Sequence, residues 1–246
     1  MVSSINMEKL KSGAEKLGLN LTPGQLTSFE TYYRELIDWN RKVNLTAITG
    51  YEEVQVKHFL DALTVAAVFE SGLAGKAPGV IDVGTGAGLP GVPLKIVFPA
   101  IRLTLLEATA KKTKFLEHLV DTLGLNGVEI VSGRAEEAGH NPQYREKYDV
   151  VLSRAVASLP ALVEITLPFC AVGGLFIAQK KGDIREEIEK SARAIAVMGG
   201  RLKEITAVDS DVFDDNRCLV IIEKVKSTPE EYPRRPGMPE KRPILP

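Results

Sequence analysis

The stretch Val80-Ile-Asp-Val-Gly84-Thr-Gly86-Ala-Gly88-Leu-Pro-Gly91 constrains this chain more than any other. A short apolar run leading into three alternate glycines reads as a strand and then a turn whose backbone approaches a ligand closely, where side chains would obstruct. Asp82, two residues ahead of the first glycine, is placed either to fasten the loop or to meet the ligand. The same loop disfavours two ligand classes. A dinucleotide fingerprint wants glycine or alanine at its third landmark, and Leu89 followed by Pro90 stands there. The G-K-[ST] ending of a triphosphate-binding loop is also missing.

Ahead of the loop, from Met7 to about Phe69, apolar residues recur at helical spacing through Leu26, Phe29, Tyr33, Leu36, Ile37 and Val43. Thr22-Pro23 is a helix entrance, a threonine cap followed by a proline whose fixed φ suits the first turn. A further helix is expected from Glu52 to Phe69, and Ser71 to Gly79 reads as a glycine-rich joint. Beyond the joint, short apolar runs alternate with amphipathic ones, the pattern of a parallel sheet flanked by helices. Strands are expected at Val80–Val83, Leu103–Leu106, Val128–Val131, Val150–Leu152 and Leu175–Ala178, with a late pair at Leu202–Val208 and Cys218–Val225. Helices are expected at Val92–Phe98, Ala110–Leu123, Leu159–Phe169 and Ile184–Met198. The organisation is therefore an N-terminal helical region (1–75), an α/β ligand-binding domain built on one seven-stranded sheet (76–226), and a basic, proline-rich tail (227–246) expected to be extended.

A length of 246 residues with 44% hydrophobic and 26% charged content suits one such core. Cys170, expected inside an apolar helix, and Cys218 lie far apart with no histidine at ligand spacing, so neither a disulfide framework nor a metal site is expected. No run nears the ~18 apolar residues of a membrane span, and the opening residues lack the apolar stretch of a secretory signal. A cytoplasmic, monomeric protein is expected.

The remaining landmarks fall at the carboxyl ends of the expected strands, where open α/β sheets bind ligands. Glu107 ends the second strand; its carboxylate can accept both hydroxyls of a ribose, or simply open the helix that follows. After the third strand, Gly133-Arg-Ala135-Glu136-Glu137 offers a carboxylate and a backbone amide to an adenine edge, although glutamates also suit a helix start. The fourth strand leads into Ser153-Arg154-Ala155, where Arg154 can form a surface ion pair or, at a strand's carboxyl end, meet a ligand or RNA. His58 and Asp61 stand one turn apart, the spacing of a structural hydrogen bond, and Trp39 and Tyr33 are expected to pack the first helices.

Taken in order, Trp39-Asn-Arg-Lys-Val-Asn-Leu-Thr46, Lys57-His58-Phe-Leu-Asp61-Ala-Leu, the Asp82 to Gly91 loop, Glu107-Ala-Thr-Ala-Lys-Lys112, Arg134-Ala-Glu136, Ser153-Arg154-Ala155-Val-Ala, Lys180-Lys-Gly182 and the tail from Tyr232 to Pro243 resemble one family. It is the RsmG family, also called GidB, the guanine-N7 methyltransferases of small-subunit ribosomal RNA. The likeness covers nearly the whole chain. It implies a Rossmann-like class I S-adenosylmethionine-dependent fold with a mostly parallel seven-stranded sheet, helices on both faces and a helical region in front. It also implies S-adenosylmethionine as cofactor, and 16S ribosomal RNA in the small subunit or its precursor as partner. Gly84, Leu89, Ala135, Glu136 and Arg154 match positions that the family uses for the methyl donor, and the residue pattern adds Asp82, Gly86, Gly88 and Glu107. Leu89 stands where many relatives carry phenylalanine, and Thr85 where alanine is common.

The chemistry agrees with what is missing. Guanine N7 bears a lone pair and no proton, so methylation there demands orientation rather than a general base. Cytosine-C5 methylation needs a cysteine nucleophile, and amino-group methylation an Asn/Asp-Pro-Pro-aromatic turn, where this chain has Ser-Arg-Ala-Val. With a formal net charge of -1, RNA contact must come from local patches. The candidates are Lys111, Lys112, Lys180, Arg234, Arg235, Lys241 and Arg242, together with Arg41, Lys42, Lys114 and Lys181. Charge clusters are often only solvated faces, but the stiff basic tail is expected to lie along a phosphate backbone. Two other functions fit the sequence: a small-molecule methyltransferase whose first helices form a lid, and a non-catalytic RNA-binding protein that senses the cofactor.

Overall fold

In the computed structural model, which describes residues 7–66, 68–69, 77–154, 157–208, 213 and 215–246, two helices open the chain, α1 (Glu8–Lys16) and α2 (Pro23–Val43). A capping box starts α2. The Thr22 hydroxyl accepts the Gln25 amide at 3.3 Å, and the Gln25 side chain accepts the Thr22 amide at 2.8 Å. The helix expected over Glu52 to Phe69 is instead divided into α3 (Tyr51–Val54), a π-helical turn (Gln55–Leu60) and α4 (Asp61–Leu63). The widened turn carries the buried polar residues Gln55 and His58, each tied to a residue outside it: Gln55 accepts the Leu10 amide at 3.1 Å, and His58 meets Thr46. The joint from Ser71 to Lys76, the boundary at residue 75, and Ala155 with Val156 lie outside the described residues.

The α/β portion runs β1 (Gly79–Val83), α5 (Gly91–Val97), β2 (Arg102–Glu107), α6 (Ala110–Thr122), β3 (Val128–Ser132), α7 (Ala135–Ala138), β4 (Tyr148–Arg154) and α8 (Leu159–Thr166). It continues with β5 (Cys170–Lys181), α9 (Arg185–Val197), β6 (Gly200–Ala207), β7 (Arg217–Lys224) and α10 (Met238–Lys241). Seven strands form one sheet in the order β3-β2-β1-β4-β5-β7-β6. β1 to β5 run parallel to one another, and β7 is antiparallel to both β5 and β6. Strand order reverses at β1, so its carboxyl end and that of β4 border a crevice.

Side chains alternate along each strand and supply two cores. Val80, Leu103, Leu105, Val150 and Leu152 face a core shared with Leu10, Phe29, Leu36 and Phe115, so the first helices and α6 cover one side. Ile81, Val83, Val151, Phe176 and Val220 face the other, with Leu162 of α8, Ala194 of α9 and the tail residues Tyr232 and Ile244. Trp39 packs against Phe115 and His118, joining α2 to α6, and Tyr33 meets Tyr51 edge-on.

Two expectations are corrected here. Cys170 is not helical: α8 stops at Thr166, a tight turn holds Leu167–Phe169, and Cys170 begins β5. Pro168 has no amide to continue the helix. The tail is not a free extended arm either. Gly237, at φ 78, reverses the chain, and Pro239 sits in the first turn of α10, where a missing amide is harmless.

Candidate active site

The glycine loop is held from three directions. Asp82 is fully buried, and its Oδ2 accepts the Thr85 hydroxyl at 2.6 Å and the Gly91 amide at 2.8 Å, which ties the start of the loop to its end. Burial raises its pKa to about 6 despite those bonds. From α2, the Tyr32 hydroxyl donates to the Ala87 carbonyl and Gln25 donates to the Ile96 and Val97 carbonyls at 3.2 and 3.3 Å, bracing α5 as well. From β2, Glu107 accepts the Gly86 amide at 3.0 Å and the Thr109 amide at 2.8 Å.

The glycines do different things. A Cβ on Gly86 (φ 60) would meet nothing within 4 Å, so this residue opens onto the cleft. On Gly88 (φ 92) it would collide with Val92 at 2.8 Å and with the Tyr32 hydroxyl at 3.0 Å, so Gly88 serves close packing.

The cleft has two chambers that share Gly84, Ala108 and Arg134. The larger, about 420 Å³, is lined by Gly84, Gly86, Leu89, Glu107, Arg154 and Lys112, and by Leu45, Thr46 and His58 from the helical region. The smaller, about 130 Å³, lies beyond Gly84 and is lined by Leu106, Ala135, Glu136, Ala161 and Ile165, with Pro239 and Glu240 of the tail. Of the residues singled out in the sequence for the cofactor, Gly84, Gly86, Leu89, Glu107, Ala135, Glu136 and Arg154 meet here. Asp82 and Gly88 line neither chamber and instead shape the loop.

Arg154 is aimed by a network that the sequence did not reveal. Its guanidinium donates to Asp61 at 2.8 Å and to the Lys57 carbonyl at 3.3 Å, and the other Asp61 oxygen pairs with Arg217 of β7. Arg154 and Arg217 stand 93 and 156 positions beyond Asp61, and no local motif announces either pair; only the fold joins them. His58 and Asp61 are both buried but do not bond to each other. The His58 ring meets the Thr46 hydroxyl at 2.8 Å, and burial, with Arg154 nearby, lowers its pKa to about 4, so it is neutral at pH 7.

Two RNA candidates are otherwise engaged. Arg234 forks onto Glu164, which is fully buried in α8, with Nη2 at 2.6 Å and Nε at 2.8 Å from its two oxygens. Lys180 is held by Glu187 at 2.8 Å and the Ala157 carbonyl at 3.1 Å. Lys111, Arg235, Lys241 and Arg242 are exposed, and Lys112 borders the larger chamber. Among the described residues no group of three or more His, Cys, Asp or Glu side chains could hold a metal ion, and no helix is long and apolar enough to cross a membrane.

The cleft fits S-adenosylmethionine. An open backbone cradle at Gly86 adjoins a carboxylate whose oxygens, each with one lone pair used by an amide, retain a second for a sugar hydroxyl. This sheet order, with such a loop after β1, defines a class I S-adenosylmethionine-dependent methyltransferase. Solved structures share the fold: MtNAS in complex with MTA and tNA is 14% identical with a TM-score of 0.55, covering 80% of this chain and 74% of that one. TrmN from Thermus thermophilus is 16% identical with a TM-score of 0.51, over 70% of this chain and 53% of its own.

The family model described as GidB, rRNA small subunit methyltransferase G, matches residues 25–217, and the chain belongs to that family. Among curated relatives, ribosomal RNA small subunit methyltransferase G of Dehalococcoides mccartyi (strain CBDB1) is 52% identical over 239 residues, 97% of this chain and 100% of that protein. The protein of the same name from Alkaliphilus metalliredigens (strain QYMF) is 49% identical over 238 residues, 96% of this chain and 97% of its own.

Proposed function

We propose that this chain transfers the methyl group of S-adenosylmethionine to N7 of a guanine in 16S ribosomal RNA. One observation carries the choice of atom. Among the described residues lining the larger chamber, the carboxylate and the imidazole are Glu107 and His58, and both are committed: Glu107 to two backbone amides, His58 to Thr46 in a neutral state. Neither is poised to take a proton. N7 has none to give.

The bound cofactor supplies an electrophilic methyl on a cationic sulfur. The protein's part is placement: the Gly84 and Gly86 backbone admits the ligand, Glu107 accepts its ribose hydroxyls, and Ala135 with Glu136 flanks the adenine. Arg154, locked by Asp61, limits where the target base can sit. Holding the reacting atoms in line is worth on the order of 7 to 11 kcal/mol of the barrier. Lys111, Lys112, Arg235, Lys241 and Arg242 contact the RNA backbone, while Arg234 and Lys180 are structural. A ribosomal substrate supports a cytoplasmic protein, and we take it to act as a monomer.

The test is to incubate the protein with labelled S-adenosylmethionine and small subunits from a strain lacking this methylation, then map the label by mass spectrometry. Label on N7 of one guanine is expected. Label on an amino group, on cytosine C5 or only on small molecules overturns the proposal.

A further inference from the structure

The tail is fastened to the body by contacts that an arm for phosphate would not need. The Arg145 guanidinium donates to the carbonyls of Gly139, Thr228, Pro229 and Tyr232, and the His140 ring meets the Pro233 carbonyl at 2.6 Å. Arg234 then locks onto Glu164 through its side chain and, at 2.9 Å, its amide. Past these clamps the Gly237 amide donates to Glu136 at 2.9 Å, and Pro239 and Glu240 reach the smaller chamber. That chamber has the character of a slot for a flat heterocycle, with apolar sides from Leu106, Ile165 and the buried Pro239, and carboxylates at Glu136 and Glu240.

We infer that residues 237–240 form a wall of the cofactor pocket at its adenine end, with Pro239 packed on the ring and Gly237 positioning Glu136. The inference rests on the cofactor placement proposed above. It moves this part of the tail from RNA contact to binding of the adenosyl group.

Calorimetric titration of S-adenosylhomocysteine and 5′-methylthioadenosine, which share the adenosine half, tests it. The full-length chain is compared with a chain ending at Pro236, which keeps the Arg145 and Arg234 clamps. Both ligands should weaken at least about tenfold, and by the same factor. Pro239→Ala leaves all the clamps in place and covers the case in which the shortened chain does not fold. It should weaken both ligands roughly threefold, as expected for losing about one buried methylene of contact, while the protein stays folded with at most a small fall in thermal midpoint. Unchanged affinity in Pro239→Ala or in a folded shortened chain overturns the wall alone, as does a loss confined to S-adenosylhomocysteine. Failure of the full-length chain to bind either ligand overturns the cofactor placement and the wall with it.

Discussion

Gly88→Ala and Gly86→Ala change neighbouring parts of one loop, and the structure separates their effects. Both residues lie at positive φ, 92° and 60°, where an L side chain costs about 1–2 kcal/mol. At Gly88 the new methyl also lands 2.8 Å from Val92 Cγ2, 3.0 Å from the Tyr32 hydroxyl and 3.3 Å from Leu116 Cδ2. None of these gives way readily. Val92 is a β-branched residue in a helix, with one favoured rotamer, the Tyr32 hydroxyl is bound to the Ala87 carbonyl, and Leu116 is fully buried. Overpacking of this kind adds roughly 1–3 kcal/mol, for a total loss of about 2–5 kcal/mol. At Gly86 the methyl meets nothing within 4 Å, so stability falls by only about 1–2 kcal/mol, but the methyl occupies the cleft. Urea unfolding should therefore single out Gly88→Ala. Titration with S-adenosylhomocysteine should single out Gly86→Ala, with affinity lowered more than about tenfold. A Gly86→Ala protein that binds normally, or a Gly88→Ala protein as stable as its parent, would refute the reasoning.

Two further outcomes are expected. His58, with its pKa lowered to about 4, contributes stability that is present above its unfolded value and lost as pH falls through the folded one; Asp82, raised to about 6, contributes stability that is present at low pH and lost as pH rises. The two offset each other in the parent, so His58→Gln should lose about 3 kcal/mol relative to it between pH 4 and pH 6.5 in denaturant titrations, and a constant difference would show that His58 is not the cause. Arg234→Ala strands a buried carboxylate and should lose about 3–5 kcal/mol, whereas Arg235→Ala should leave stability and cofactor affinity intact and lower the salt slope of RNA binding by about one charge; the reverse pattern would mean that the two arginines have been assigned each other's roles.

The sheet and the glycine loop were legible because both are written locally. A strand ending in Gly84-x-Gly86-x-Gly88 needs only its own few residues to declare a tight turn, and the Thr22-Pro23 entrance and Glu107 at a strand end are equally self-contained. What could not be read was pairing at a distance. Asp61 stood out only for its spacing from His58, yet its partners are Arg154 and Arg217, far along the chain. Arg234 looked like any tail cation because nothing in the sequence shows that α8 carries Glu164 buried and facing it. The folded turn of the tail is hidden in the sequence for a related reason. Proline density argues against long helices but tolerates a single turn, and a turn was enough to bring Pro239 to the cleft.

The placement of β7 between β5 and β6 bears on how the protein is made. During synthesis β6 emerges as an edge with no strand to pair with, because its neighbour follows it in the chain. Arg217, at the head of β7, arrives with it and closes the link to Asp61 in the helical region. Domains generally fold as units as they leave the ribosome, and here the unit is not complete until its penultimate segment is free. A nascent chain stalled before β7 would hold the glycine loop but would lack the strand that secures the arginine above it.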